Sequence, residues 1–327
     1  MSGQVRTTHP EKVLWPEVGL TKADLRAYLE AAAPRMLPLL RGRPLSLVRH
    51  PAGVGRKGFL QKHLPDTAPA WLPRHEQFSP SSDRTVHYPL AGTLDDLVWM
   101  ANQNAVEFHQ ALVRADRDDR PDLVVIDLDP APDPSPDLTS DPTSDPTSNP
   151  TSDPTSDPTA LVDAALLVRE VLDTLGLATA VKTSGKRGLH VVVPAERRWP
   201  HDRARAFGLA LARATAARAP DRLTVAMRKA DREGRLLLDW SRNGSAQTLA
   251  AAWSPRATPT ATVSVPLRWD EVVPGLDPSR WTVRTALDDR PADWPDLPAP
   301  QRLERAAEAL ERAGFPLVDA SPRGRVT

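Results

Sequence analysis

The chain of 327 residues contains no cysteine. Disulfides and cysteine-ligated zinc are therefore excluded, and nothing in it calls for an oxidising compartment. No apolar stretch approaches the roughly 18 residues that a membrane span requires. The first residues also lack the apolar core of a signal peptide, so a cytoplasmic location is expected. No G-x-x-x-x-G-K-[ST] occurs, which excludes a P-loop. Net charge is missing too: 42 basic side chains face 42 acidic ones. That balance by itself speaks against a nucleic-acid enzyme, but its distribution does not. Residues 130–159 hold six aspartates and no lysine or arginine, which leaves 42 basic against 36 acidic side chains elsewhere. Residues 1–75 carry 12 basic and 5 acidic groups, and residues 182–244 carry 15 and 6. Such segments suit a surface that follows phosphates, although solvated arginines give the same count.

What is present begins with LVVIDLD, residues 123–129, which breaks at Pro130. Side chains two apart on a strand share a face, so Asp127 and Asp129 stand side by side at its end while Leu128 points away. Adjacent carboxylates resist ionising together unless a cation lies between them. Magnesium and manganese prefer such oxygen donors. A helix cap followed by a solvated turn residue would look the same. A third carboxylate favours the metal: RLLLDWSRNG ends an apolar run at Asp239, ahead of the Asn243-Gly244 turn. Three carboxylates on neighbouring strand ends suit two metal ions about 3.5–4 Å apart, the clamp used in phosphoryl transfer.

Between these lies VKTSGKRGLHVVVP. Val181 to Thr183 reads as a strand end, Ser184-Gly185-Lys186-Arg187-Gly188 as a loop, and Leu189 to Val193 as the next strand, with His190 at its start. Two glycines, a hydroxyl and two cations make a phosphate cradle. An ordinary basic hairpin turn is the plainer reading.

LVVIDLDP, TSGKRGLHVVVP and LLDWSRNG, in that order, resemble the polymerase domain of bacterial DNA ligase D, of the archaeo-eukaryotic primase superfamily. HPEKVLWPEVGLTKADLRAYL resembles that family's opening segment, and the similarity spans roughly residues 5–290. The resemblance implies a primase-polymerase that serves non-homologous end joining, fills gaps, adds single untemplated nucleotides at blunt ends, and prefers ribonucleotides and manganese. Asp127, Asp129 and Asp239 are then the catalytic metal ligands for Mn²⁺ or Mg²⁺. Ser184, Gly185, Lys186, Arg187, Gly188 and His190 hold the incoming triphosphate, with His109 and Arg256 matching a family histidine and arginine beside it. Lys12 and Lys22 match the lysines that grip a DNA 5′-phosphate, and Lys22 stands in the first turn of a helix, where the dipole also attracts anions. GFLQK, residues 58–62, matches a template-contacting segment through Phe59, Leu60 and Lys62.

This chain departs from the family pattern in three places. His9 stands where asparagine is common, and Leu60 replaces a second aromatic ring. Stacking on a ring is worth ~1–3 kcal/mol, so template positioning should be weaker or different here. The third departure is a much longer loop at 130–159, a run of TSDP tetrapeptides read as a disordered insertion. No K-x-D-G adenylation motif is present, so the expectation is a stand-alone, nucleoid-associated polymerase beside Ku and a separate ATP-dependent ligase.

The fold expected is α+β: a primase-polymerase fold whose RNA-recognition-like core sheet packs on an amino-terminal α/β module. The divisions are 1–120 for that module, 121–295 for the catalytic core with its insertion, and 296–327 for a last helix and tail. Helices are read near 21–33, where Thr21 to Asp24 looks like a capping box, near 93–113, and at 160–175, 201–218 and 301–312. Strands are read at 178–182, 189–193, 223–227 and 236–240, giving strand, helix, strand, strand, helix, strand. Two other functions stay open. One is a catalytically inert module that binds DNA ends. The other is a D-x-D phosphatase, which needs a small hydroxylic residue where Ala131 stands.

Overall fold

A computed structural model describes residues 5–79, 83–130, 159–288, 290, 294 and 296–318. The amino-terminal part runs β1 (Val13–Trp15), β2 (Leu20–Thr21), α1 (Lys22–Leu40), β3 (Leu45–Arg49), β4 (Phe59–Gln61), β5 (Arg74–Ser79), β6 (Arg84–Pro89), α2 (Leu94–Asn102) and β7 (Ala105–Ala111). There follow β8 (Leu123–Asp129), α3 (Ala160–Thr174), β9 (Ala180–Thr183), β10 (Leu189–Pro194), α4 (His201–Ala216), β11 (Leu223–Thr224), β12 (Leu236–Asp239), β13 (Thr248–Ala250), β14 (Pro266–Leu267) and α5 (Glu304–Arg312). The expected insertion lies outside the described residues except at its two ends.

The core sheet has the order β11-β12-β8-β10-β9-β14. Its four central strands carry the β-α-β-β-α-β succession, and β12-β8-β10-β9 are antiparallel at every junction. This is the ferredoxin-like arrangement the motif order implied. Period two divides each strand between two faces. Val124, Ile126 and Leu128 of β8, Leu189, Val191 and Val193 of β10, and Leu236 and Leu238 of β12 join the main core, to which α3 and α4 contribute. Val125 and Val192 face the other way and pack with Leu112, which follows β7, and Leu249 of β13. Asp127 and Asp129 therefore lie on the face that α3 and α4 leave uncovered.

The second sheet, β13-β7-β3-β4, is antiparallel throughout. Its strand β13 comes from residues far along the chain, so core sequence completes the amino-terminal sheet. The capping box of α1 is present: Asp24 N–H donates to Thr21 Oγ1, and Thr21 N–H donates to Asp24 Oδ2 at 2.7 Å.

Two element readings are corrected. The first helix does not stop near 33 but continues to Leu40 through Pro34 and Pro38. Proline costs an interior hydrogen bond, yet Leu29, Ala32, Ala33, Met36 and Leu40 continue one buried stripe across it. The reading of 93–113 as a single helix is also wrong. After α2 the chain turns at Asn104, whose φ is +60°, and residues 105–111 form a strand paired on both sides. His109 is therefore a strand residue.

Candidate active site

The register across the core sheet places the motif residues in one row. Lys182 on β9 is opposite His190 on β10, His190 is opposite Asp127 on β8, and Asp127 is opposite Asp239 on β12. Directly opposed residues share a face, so four polar side chains from four strands stand side by side. Asp129 lies two residues further along β8, at the open end of the sheet. Lys182, His190, Asp127 and Asp239 are all buried.

Each member of the row is held by specific partners. His190 Nε2 lies 3.3 Å from Asp127 Oδ1. The Lys182 ammonium donates to Ser264 Oγ at 2.6 Å and to the Thr183 carbonyl at 3.2 Å. Asp239 Oδ1 accepts from the Ser241 amide at 2.8 Å and hydroxyl at 2.6 Å. Its other oxygen lies 3.2 Å from Arg242 Nε, which is also 3.5 Å from Asp127 Oδ2. Asn243 fixes that turn: its side-chain amide accepts from Val125 N–H at 2.8 Å and donates to Val125 C=O at 2.7 Å. A side chain thus continues the β12–β8 ladder one step beyond the strand.

The electrostatics follow from crowding. Burial and the nearby Lys182 push His190 down to about 4, so its imidazole is neutral at physiological pH. Burial alone would raise Asp127, but attraction to the charged form of His190, the hydrogen bond with that ring and then the cations Arg242 and Lys182 outweigh it and bring Asp127 to about 2. Asp129 moves the opposite way, to about 6, because surrounding protein desolvates it and Asp127 and Asp239 repel its charge. Burial raises Asp239 as well. Burial and Arg256 hold Lys182 well below the ordinary lysine range. Among the described residues no three carboxylate or imidazole groups close on one point tightly enough to hold an ion as they stand. Arg242 lies between two of them.

The Ser184–Gly188 loop borders the row. Gly185 has a φ of +73°, and a Cβ there would lie 2.7 Å from Arg256 Cγ and from the Ser264 nitrogen. At residue 188 a Cβ would run into the Leu128 carbonyl oxygen. Only glycine lets the loop lie so close to β8. The amides of Lys186 and Gly188 donate to Ser184 Oγ at 3.2 and 3.0 Å, so in this structure the turned-in amides grip the hydroxyl. Arg256 donates to the Ser184 carbonyl and pairs with the fully buried Glu107 at 3.0 Å. Glu107 is also 2.7 Å from His109 Nε2. His109 and Arg256 are thereby joined to the loop.

The remaining sequence candidates lie apart from the row. Lys12 and Lys22 form a pair: the Lys22 amide donates to the Lys12 carbonyl at 2.8 Å. Burial and the Lys12 charge lower the Lys22 ammonium below its ordinary value. Phe59 and Leu60 are half exposed on the edge strand β4. Leu60, opposite Val48 and so in line with Glu107, shares the face of His109; Phe59 is on the reverse. Lys62 reaches across to the Ala246 carbonyl at 3.2 Å.

Three contributors escaped the sequence reading, Lys182, Glu107 and Arg242, and Asn243 entered it only as a turn signal. The three each left a signal. Lys182 is a charge inside an apolar strand, Glu107 precedes His109 by the strand period of two, and Arg242 follows Asp239 by one turn.

The chain matches the family model described as LigD, primase-polymerase domain, over residues 21–140 and 150–296. The multifunctional non-homologous end joining protein LigD of Mycolicibacterium smegmatis is 33% identical over 300 residues, covering 91% of this chain and 36% of that protein. Its namesake in Pseudomonas aeruginosa is 30% identical over 313 residues, covering 94% and 34%. The chain thus spans about a third of the length of these curated relatives. Among solved structures, the polymerase domain from Mycobacterium tuberculosis ligase D in complex with DNA superposes with a TM-score of 0.75 at 28% identity, covering 87% of this chain and 93% of that one.

Proposed function

The chain belongs to the LigD primase-polymerase domain family, and from that membership we propose a metal-dependent nucleotidyltransferase that extends 3′ ends at gaps and double-strand breaks in non-homologous end joining. Ribonucleotides are its preferred substrates. The observation that carries this reading is the row Lys182–His190–Asp127–Asp239 with Asp129 beside it. Its donor set suits a hard divalent cation, since every acidic donor is a carboxylate oxygen. The raised Asp129 and Asp239, and the guanidinium of Arg242 between Asp127 and Asp239, mark a place that is short of positive charge.

Asp127, Asp129 and Asp239 would hold Mn²⁺ or Mg²⁺. The bound cation supplies electrostatic stabilisation of charge on hydroxyl and phosphate oxygens. The chain's own groups do the rest. Neutral His190 orients Asp127 without spending its negative charge, and Lys182 stands at the β9 end of the row. Ser184, Lys186, Arg187 and Arg256 gather donors and positive charge for a triphosphate, and His109 borders them. Lys12 and Lys22 take the 5′-phosphate on the far side of a gap, while Phe59, Leu60 and Lys62 meet the template. Ku and a DNA ligase activity are the partners proposed.

The test is nucleotide incorporation on a gapped duplex with a 5′-phosphate, comparing ribo- with deoxynucleotides and manganese with magnesium. Extension that favours ribonucleotides and manganese, and that disappears in Asp127→Ala, is expected. Equal extension by Asp127→Ala would remove the metal assignment. End binding with no extension would favour the inert module instead.

A further inference from the structure

We propose that Glu107 is a positioning residue that locks His109 and Arg256 into one fixed arrangement for the incoming nucleotide. The inference rests on the reading of this region as a nucleotide site. Glu107 belongs to β7 and is 1% exposed. Its Oε2 lies 2.7 Å from His109 Nε2 and 3.0 Å from Arg256 Nε, while Oε1 accepts from the Ala257 amide at 2.8 Å. One carboxylate oxygen is therefore shared by the imidazole of a β7 residue and a guanidinium from the segment between β13 and β14, 147 positions apart. An ionised carboxylate only accepts, so the shared proton sits on His109 Nε2 and the tautomer of that ring is set by Glu107.

Arg256 passes the constraint on. It donates to the Ser184 carbonyl, and its Cγ fills the space that a side chain at residue 185 would take. The amino-terminal sheet is thus tied through Glu107 and Arg256 to the SGKRG loop of the core sheet. A carboxylate buried this deeply is costly unless fully paired, and here its partners are His109, Arg256 and the backbone amide that follows Arg256.

Glu107→Gln keeps the shape and removes the charge. The expected result is a weakening of about tenfold or more in the affinity for a fluorescent ribonucleoside triphosphate with Mn²⁺, with a matching rise in nucleotide KM and a smaller change in kcat, as follows when a buried partner is left unpaired. A merely structural role would lower the melting temperature and kcat with nucleotide KM unchanged, and that outcome overturns the proposal. Should Glu107→Gln fail to fold, Glu107→Gln/Arg256→Gln, neutral on both sides, is compared with Arg256→Gln alone. Nucleotide affinities within about twofold of each other indicate that the two residues act as one unit; a larger gap overturns it. If His109→Ala and Arg256→Ala both bind the nucleotide as wild type does, the site reading itself fails and the proposal falls with it.

Discussion

At the scale of single residues, Asp127 and Asp129 are two positions apart and titrate in opposite directions. Asp127 has Arg242, Lys182 and a hydrogen bond to His190; Asp129 has Asp127 and Asp239 as unwelcome neighbours. A carboxyl whose folded value is raised stabilises the fold below the unfolded value and loses that contribution as pH rises through the folded one. For Asp129 the window runs from about pH 4 to 6, so the metal-free protein loses stability across it as pH rises. A cation competes with the proton for the same oxygens. Mn²⁺ affinity measured by calorimetry should therefore fall as pH drops from 7.5 to 5.5, and Mn²⁺ should raise the melting temperature more at 7.5 than at 5.5. A pH-independent affinity would mean that Asp129 is not a ligand. The D-x-D spacing was legible because an apolar run and the strand period placed both carboxylates on one face. Arg242 follows Asp239 by one turn, but the placing of its guanidinium between Asp127 and Asp239 was not legible, since the path of a side chain after a turn leaves no periodic trace.

At the scale of elements, the row of four polar residues depends on register, which local sequence does not encode. Lys182, His190, Asp127 and Asp239 come from strands separated by a helix, a loop or the long insertion. The apolar runs identify those strands, and the turn signals at Ser184–Gly188 and Asn243-Gly244 place their ends. Which residue faces which is decided by packing on α3 and α4, where Val124, Ile126, Leu189, Val191 and Leu238 are buried. Strand β7 was misread as helix because its spacing fits either period until β3 and β13 are known to flank it. Asn243 shows how register is secured at the site: its amide serves both backbone groups of Val125 and the Trp240 carbonyl at 2.9 Å. Gly208 on α4 permits this, because a Cβ there would lie 2.7 Å from Asn243 Nδ2. Asn243→Ala leaves a buried N–H and C=O unpaired and should cost ~2–3 kcal/mol. It should also reduce nucleotide incorporation, because the turn that aims Asp239 and Arg242 loses its anchor. Urea titration together with primer extension checks both, and a stable variant with normal extension would show the clamp to be dispensable.

At the scale of the whole molecule, the two sheets must hold a constant relation if His109 and Arg256 are to meet the carboxylate row. The apolar cluster Leu112, Val125, Val192 and Leu249 joins them at the centre. At the end of β8 opposite the carboxylates a charged junction does the same. Asp122 accepts from Arg43 at 2.6 and 2.9 Å and from Arg114 at 2.9 Å, and its carbonyl accepts from the Ala195 amide after β10 at 2.9 Å. Burial lowers Arg43 from its ordinary value, and Asp122 offsets part of that loss. Removing one member of a buried ion pair strands the other and costs ~3–5 kcal/mol, whereas exposed pairs are worth ~0–1 kcal/mol. Asp122→Ala should therefore lower the urea midpoint strongly. Asp119→Ala, which breaks the exposed pair with Arg120 at 3.0 Å, should leave the midpoint almost unchanged. If the two variants unfold at the same urea concentration, the junction is not what fixes the sheets, and the apolar cluster must carry that role alone.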